Sequence, residues 1–198
     1  VFDFKNRELK PLSTGGPQRL ATFSPEGTKI AFVRDNNLFI ADLRFGSELQ
    51  ITFDGKFNQI INGAPDWVYE EEFEFNKAFE WAPDGSAIAF MKFDESDVKI
   101  YHMNMFKGER PELKENAVYP SNYSYKYPKA GEANSKVSVH VYDIKDRVTT
   151  SMNIGDETDI YIPRIKWTTD PKKLAILKLN RFQNKLEILL ANARVGNT

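Results

Sequence analysis

Apolar and β-branched residues fall in short runs along this chain, and turn-forming residues bound each run. Ile30-Ala31-Phe32-Val33, Leu38-Phe39-Ile40-Ala41, Ile88-Ala89-Phe90-Met91 and Val137-Ser138-Val139-His140-Val141 each read as a strand. No long segment holds a helical period. A repeat is visible: Phe23-Ser24-Pro25-Glu26-Gly27-Thr28-Lys29-Ile30-Ala31-Phe32 matches Trp81-Ala82-Pro83-Asp84-Gly85-Ser86-Ala87-Ile88-Ala89-Phe90. In each copy the Pro presets φ and the Gly accepts a positive φ, which specifies a turn between two strands. A weaker third copy, with a degenerate turn, runs from Trp167 through Pro171 to Ile176. Hairpin turns recurring at a period of roughly 40–50 residues mark β-propeller blades. The expected fold is all-β: a partial β-propeller of about three blades of antiparallel four-stranded sheets, in a single domain over 1–198. Blade material is expected at about 1–60, 77–150 and 155–198. Three blades leave open edges, so further chain or assembly is expected to complete the ring.

The spacing between copies exceeds one plain blade in both intervals. An insertion at about 64–76 fills the first excess and is expected to carry a short helix. The second excess runs from about Phe93 to Asn134. It holds an expected extended arm at about 93–118, with a polar stretch from Lys107 to Glu112, and then Tyr119, Tyr123, Tyr125 and Tyr127. Loops this long are usually functional or disordered. The run Val98-Lys99-Ile100-Tyr101 is suited to adding to a partner's edge.

Charge narrows the range of partners. The 198 residues carry 27 Lys and Arg against 28 Asp and Glu, a formal net charge of −1, and the basic residues form no stripe. No nucleic-acid or anionic-membrane partner is expected. With no cysteine there is neither a disulfide nor a thiolate metal site. The chain opens at Val1 without Met and is read as a piece of a longer protein.

Catalytic motifs are sparse. No Gly-x-Ser-x-Gly elbow occurs, so no catalytic residue is assigned. The two histidines, His102 and His140, lie on β-like runs, and His140 is expected on a sheet face. No phosphate loop and no metal-ligand spacing is present, so no cofactor and no metal are expected. The distinctive stretch is Asp66-Trp67-Val68-Tyr69-Glu70-Glu71-Glu72. Asp66 suits a helix N-cap, with the glutamates near a positive helix end. The carboxylates form either a solvated face or a site for a cation. Converging carboxylates suit a primary ammonium, which offers three donors and no acceptor. Trp67 and Tyr69 are read as core aromatics that pack against a blade and fix the glutamates.

That stretch resembles the double-glutamate motif of the dipeptidyl peptidase IV family, within the prolyl oligopeptidase-like serine peptidases. Tyr127-Pro128-Lys129-Ala130-Gly131, followed by Asn134, resembles a second family segment, although Ser135 stands where the family typically has Pro. The likeness runs from about Val1 to near Ala191. It implies that Glu71 and Glu72 bind the substrate's N-terminus, with Glu70 in a supporting place beside Trp67 and Tyr69. It also implies a catalytic triad in a later α/β-hydrolase domain, so that this chain alone is inactive. The implied parent removes X-Pro or X-Ala dipeptides from peptides with a free N-terminus. It would form a homodimer through the arm at about Phe93–Val118, and be periplasmic, extracellular or membrane-anchored facing outward. Two alternatives remain: a non-enzymatic propeller module for protein–protein binding from a catalytically dead relative, and a stand-alone β-scaffold whose glutamates are merely solvated.

Overall fold

In the computed structural model, which describes residues 1–106 and 118–198, the repeated turns share one hydrogen bond. Ser24 N donates to Lys29 O at 2.9 Å, Ala82 N to Ala87 O at 2.8 Å and Thr168 N to Lys173 O at 3.1 Å. Gly27 and Gly85 both take φ +71°, as the Pro-acidic-Gly pattern requires. The third copy lacks a glycine and turns instead on Thr168, whose hydroxyl accepts from Asp170 N at 3.1 Å. Divergent chemistry thus gives the same hairpin.

Each hairpin opens a sheet. The first is β3 (Arg19–Phe23), β4 (Lys29–Arg34), β5 (Asn37–Asp42) and β6 (Ser47–Gln50), in that order. Ahead of it lies a small hairpin of β1 (Phe2–Asp3) and β2 (Glu8–Leu9). The second sheet contains β7 (Ile60–Asn62), β8 (Phe79–Trp81), β9 (Ala87–Asp94), β12 (Lys136–Asp143) and β13 (Thr149–Ser151). Between β9 and β12 the chain leaves to form a separate two-stranded arm of β10 (Ile100–Met105) and β11 (Ser121–Lys126). The third sheet has β14 (Ile160–Trp167), β15 (Lys173–Asn180) and β16 (Leu186–Asn192). All pairings are antiparallel, and the sheets do not close on themselves. This is an open, partial propeller arrangement. The first sheet has four strands, the second five and the third three.

The five strands of the second sheet have a simple origin. β7 pairs with β9 at Lys92–Asp94 and β8 pairs with β9 at Ile88–Phe90, so they lie end to end along one edge. They are two halves of one strand, interrupted by residues 63–78. The break closes at Met91, whose carbonyl accepts from Gly63 N at 3.0 Å and whose N–H donates to Ala78 O at 2.9 Å. Gly63 is pinched there at φ +75°, where an added Cβ would lie 3.2 Å from a Leu38 methyl and 3.3 Å from a Val33 methyl. Glycine fits both the backbone angle and the space.

One buried apolar cluster draws on all three sheets, including Leu38, Phe79, Ile88, Phe93, Ile162 and Leu174. Burial of such side chains contributes about 1.5–3 kcal/mol each and drives the packing of the sheets. Direction comes from the repeat's aromatic residue. Trp81 Nε1 donates to Thr22 O at 3.2 Å, and Trp167 Nε1 donates to Glu80 O at 3.0 Å. Thr22 precedes Phe23 and Glu80 precedes Trp81, so each tryptophan reaches the equivalent carbonyl of the repeat before it.

Candidate functional site

The interruption of the second sheet carries α1 (Trp67–Glu72), as the acidic motif predicts. Asp66 is its N-cap in extended backbone, and its Oδ1 accepts from Tyr69 N at 3.0 Å. Glu70 sits in the first turn, where the helix end is positive. Six residues are too few to hold a helix by propensity alone, so tertiary contacts hold it. Tyr69 is buried among Phe73, Phe75, Phe93 and Tyr161, and its hydroxyl accepts from Ile162 N at 2.9 Å on the third sheet. Burial pushes the Tyr69 phenol well above its ordinary pKa, so it stays a neutral anchor. Ser135 Oγ donates to the second Asp66 oxygen at 2.5 Å. Burial raises the Asp66 carboxyl, and the bonds from Ser135 and the helix N–H groups oppose that rise.

Above this helix lies an open cavity of about 750 Å³. Trp67 and Glu72 face it from α1, Tyr101, Met103 and Tyr125 from the arm, and Tyr127 from the segment after it. The Trp67 and Tyr127 rings lie 4.1 Å apart, and Tyr127 continues to Tyr101 at 5.5 Å. Two cations complete the rim. Lys129 Nζ lies 5.8 Å from the Tyr101 ring centre, and the Arg181 guanidinium lies 5.9 Å from that of Tyr161. Arg181 is held by the Glu132 carbonyl at 2.9 Å and faces Asp159 at 3.4 Å.

The structure places the expected residues unequally. Glu72 lines the cavity, whereas Glu70 and Glu71 are exposed on α1 and do not line it. Glu71 and Glu72 are consecutive residues at the C-terminal end of α1. None of the three makes a side-chain hydrogen bond or ion pair among the described residues. Tyr69 is the core aromatic expected; Trp67 is half-buried, packing on the core with one part and lining the cavity with another. His140 lies half-buried on β12, stacked 5.3 Å from Phe90, with Nε2 2.8 Å from Ser138 Oγ. Burial pushes its pKa down to about 4. His102 is exposed on the arm, 2.7 Å from Ser124 Oγ. Among the described residues no cluster of three His, Cys, Asp or Glu side chains could hold a metal. The polar stretch Lys107–Glu112 lies outside the described residues.

Tyr161, Arg181 and Gln183 also line the cavity, and the sequence reading did not find them. They come from the third sheet and its last hairpin, and no local pattern links them to the acidic motif. The one available signal was Asn134 of the second motif, whose Nδ2 donates to Tyr161 Oη at 2.9 Å.

Fold and cavity together define the class: an all-β, partial propeller region with an acidic helix spliced into its second sheet. The chain belongs to the dipeptidyl peptidase IV (DPP IV) N-terminal region family, whose model matches residues 1–198. It is 35% identical over 211 residues to a protein of Pyrenophora teres f. teres named "Probable dipeptidyl-aminopeptidase B", covering 100% of this chain and 23% of that protein. The protein of the same name from Pyrenophora tritici-repentis is 35% identical, with 99% of this chain and 23% of that protein covered. Among solved structures, Porphyromonas gingivalis dipeptidyl peptidase 4 superposes with a TM-score of 0.89 at 44% identity, covering 98% of this chain and 26% of that one. The chain therefore spans about a quarter of the length of these relatives.

Proposed function

We propose that this chain is the part of a serine-type dipeptidyl peptidase that recognises the free amino group of a peptide, with Glu71 and Glu72 as its acceptors. The observation that carries this reading is Glu72 on the wall of an open cavity, next to exposed Glu71, with neither carboxylate paired among the described residues. An ammonium held there makes charge-assisted hydrogen bonds that an internal amide does not offer. A fixed distance from this anchor to a nucleophile would release dipeptides, and X-Pro and X-Ala are the expected products. The names of the relatives support a peptidase. The chain has no serine elbow, so bond cleavage is assigned to an α/β-hydrolase domain elsewhere in the parent, and the 198 residues alone are expected to be inactive. Further propeller blades are the expected neighbours of its open sheets. Exposure of every residue of β10 supports the arm as a homodimer contact, which deletion of the arm and measurement of mass in solution would test. An outward-facing compartment completes the proposal.

The test of amine recognition compares a free-amine peptide with its N-acetyl counterpart in the intact peptidase. Cleavage confined to the free amine is expected. Equal cleavage of both would overturn the assignment.

A further inference from the structure

One strand of the third sheet breaks its ladder where it meets the acidic helix. β14 pairs with β15 at Ile160 and Tyr161 and again from Arg164, but between Tyr161 and Arg164 the register shifts. Ile162 and Pro163 stand there against Lys178 alone, a β-bulge of one extra residue. In an unbroken strand, residues three apart face opposite ways. The bulge instead sets Tyr161 opposite Leu179 and Arg164 opposite Leu177, two apart on β15 and so on one face. Three contacts run from this segment to the acidic helix and its exit. The Tyr161 ring lies 5.4 Å from that of Phe73, the helix C-cap. Ile162 N donates to Tyr69 Oη. The Arg164 guanidinium lies 5.1 Å from the Phe75 ring centre and is braced by its own bond to Pro163 O at 2.6 Å. Tyr69, Phe73 and Phe75 bracket Glu71 and Glu72 in sequence, and neither glutamate has a side-chain partner of its own among the described residues.

We infer that this bulge is the positioning element of the acidic helix: Tyr161, Ile162 and Arg164 seat residues 69–75 and thereby set where Glu71 and Glu72 stand. The inference rests on the amine reading above for what the glutamates hold. A six-residue helix does not fix its own direction by propensity. The Asp66 cap holds only its start, so the place of its acidic end follows from what grips Tyr69, Phe73 and Phe75. Bulges commonly re-aim groups beside a site, and Pro163, with no N–H to give to a ladder, suits one. These are positioning residues, acting on the amine through the helix.

The experiment uses the intact peptidase. Tyr69→Phe keeps the ring and deletes the acceptor of the Ile162 N–H. Hydrogen exchange over residues 67–75 should quicken about two- to tenfold, the worth of one hydrogen bond, with β9 and β15 unchanged. KM for a free-amine X-Pro substrate should rise about three- to tenfold. Deleting Pro163 restores an unbroken ladder, turns Arg164 to the other face and should raise KM at least as far; if that variant does not fold, Tyr69→Phe carries the test alone. Trp81→Phe, which loosens a different sheet junction, should leave KM unchanged. In a Glu72→Gln background the rise caused by Tyr69→Phe should shrink, because the two changes act on one contact. With Glu72→Gln costly, an unchanged exchange rate or an unchanged KM in Tyr69→Phe would overturn the inference. So would an equal rise in Trp81→Phe, or a full rise that survives in the Glu72→Gln background. If Glu72→Gln is harmless while exchange still quickens in Tyr69→Phe, the amine reading fails and the seat stands.

Discussion

Ser135 and Asp66 lie 69 positions apart and meet through a 2.5 Å hydrogen bond, hydroxyl to carboxylate. The other Asp66 oxygen caps α1, so one side chain ties the acidic helix to the foot of β12. Ser135 stands where the family resemblance leads one to expect Pro, which has no hydroxyl. Removing the donor leaves a buried carboxylate short of a partner, at about 1–3 kcal/mol. Ser135→Ala should lose that much in urea unfolding, and Asp66→Ala about 1 kcal/mol more through the lost cap. An unshifted midpoint for Ser135→Ala would show that the bond contributes nothing.

Glu95 adds a pH dependence. Burial, with Asp66's negative charge as a second cause, pushes its pKa from 4.5 up to about 7. The folded protein then holds this proton more tightly than the unfolded chain, so stability falls as pH rises from about 4.5 to about 7 and is flat above. Glu95→Gln should be more stable than the parent by about 1–3 kcal/mol at pH 8 and equal to it at pH 4. His140, depressed by burial from 6.5 to about 4, acts in the opposite sense, losing stability as pH falls through that window. Melting temperatures of the Glu95→Gln variant and the parent across pH 4 to 8 decide the matter, and parallel curves would refute it.

Replacing Glu72 or Glu71 with Gln preserves shape and removes a charge. On the proposed amine reading, each change should lower the kcat/KM of the intact parent about 30- to 1000-fold, equivalent to about 2–4 kcal/mol of lost ammonium binding. Glu70→Gln should do much less. Equal small losses at all three positions would reduce the run to a solvated acidic face.

The tryptophans at the sheet junctions offer a stability test. Trp81→Phe and Trp167→Phe each restore the residue type that the first repeat carries at Phe23. Each deletes an indole N–H that reaches the preceding sheet. About 1–2 kcal/mol should be lost in each, read from chemical denaturation. No loss in either variant would mean that apolar packing alone joins the sheets.

Much of the fold was legible because its signals are local. Pro25, Gly27, Pro83 and Gly85 specify turns from their own backbone chemistry, and the runs around Ile30, Ile88 and Val139 carry their own strand preference. Asp66 announced a cap for the same reason. The division of one strand into β7 and β8 was not legible, since three-residue pieces show no alternation. Nor was the anchoring of Tyr69 at Ile162, 93 residues away. The cavity was half legible: its acidic helix and the Tyr127 segment are motifs, whereas Arg181 and Tyr161 arrive through tertiary packing that no spacing encodes.

The closure of residues 63–78 on the single position Met91 makes the acidic helix a cassette. Its two ends enter and leave the sheet at one rung, so its length is uncoupled from the ladder on either side, while Asp66 and Tyr69 tie its content to Ser135 and Ile162. The scaffold can therefore lengthen or shorten this piece without renumbering a single strand pair. Excising residues 63–77 and joining Asn62 directly to Ala78 should yield a continuous strand from Ile60 to Trp81, with the loss of the Tyr69 packing and of its bond to Ile162.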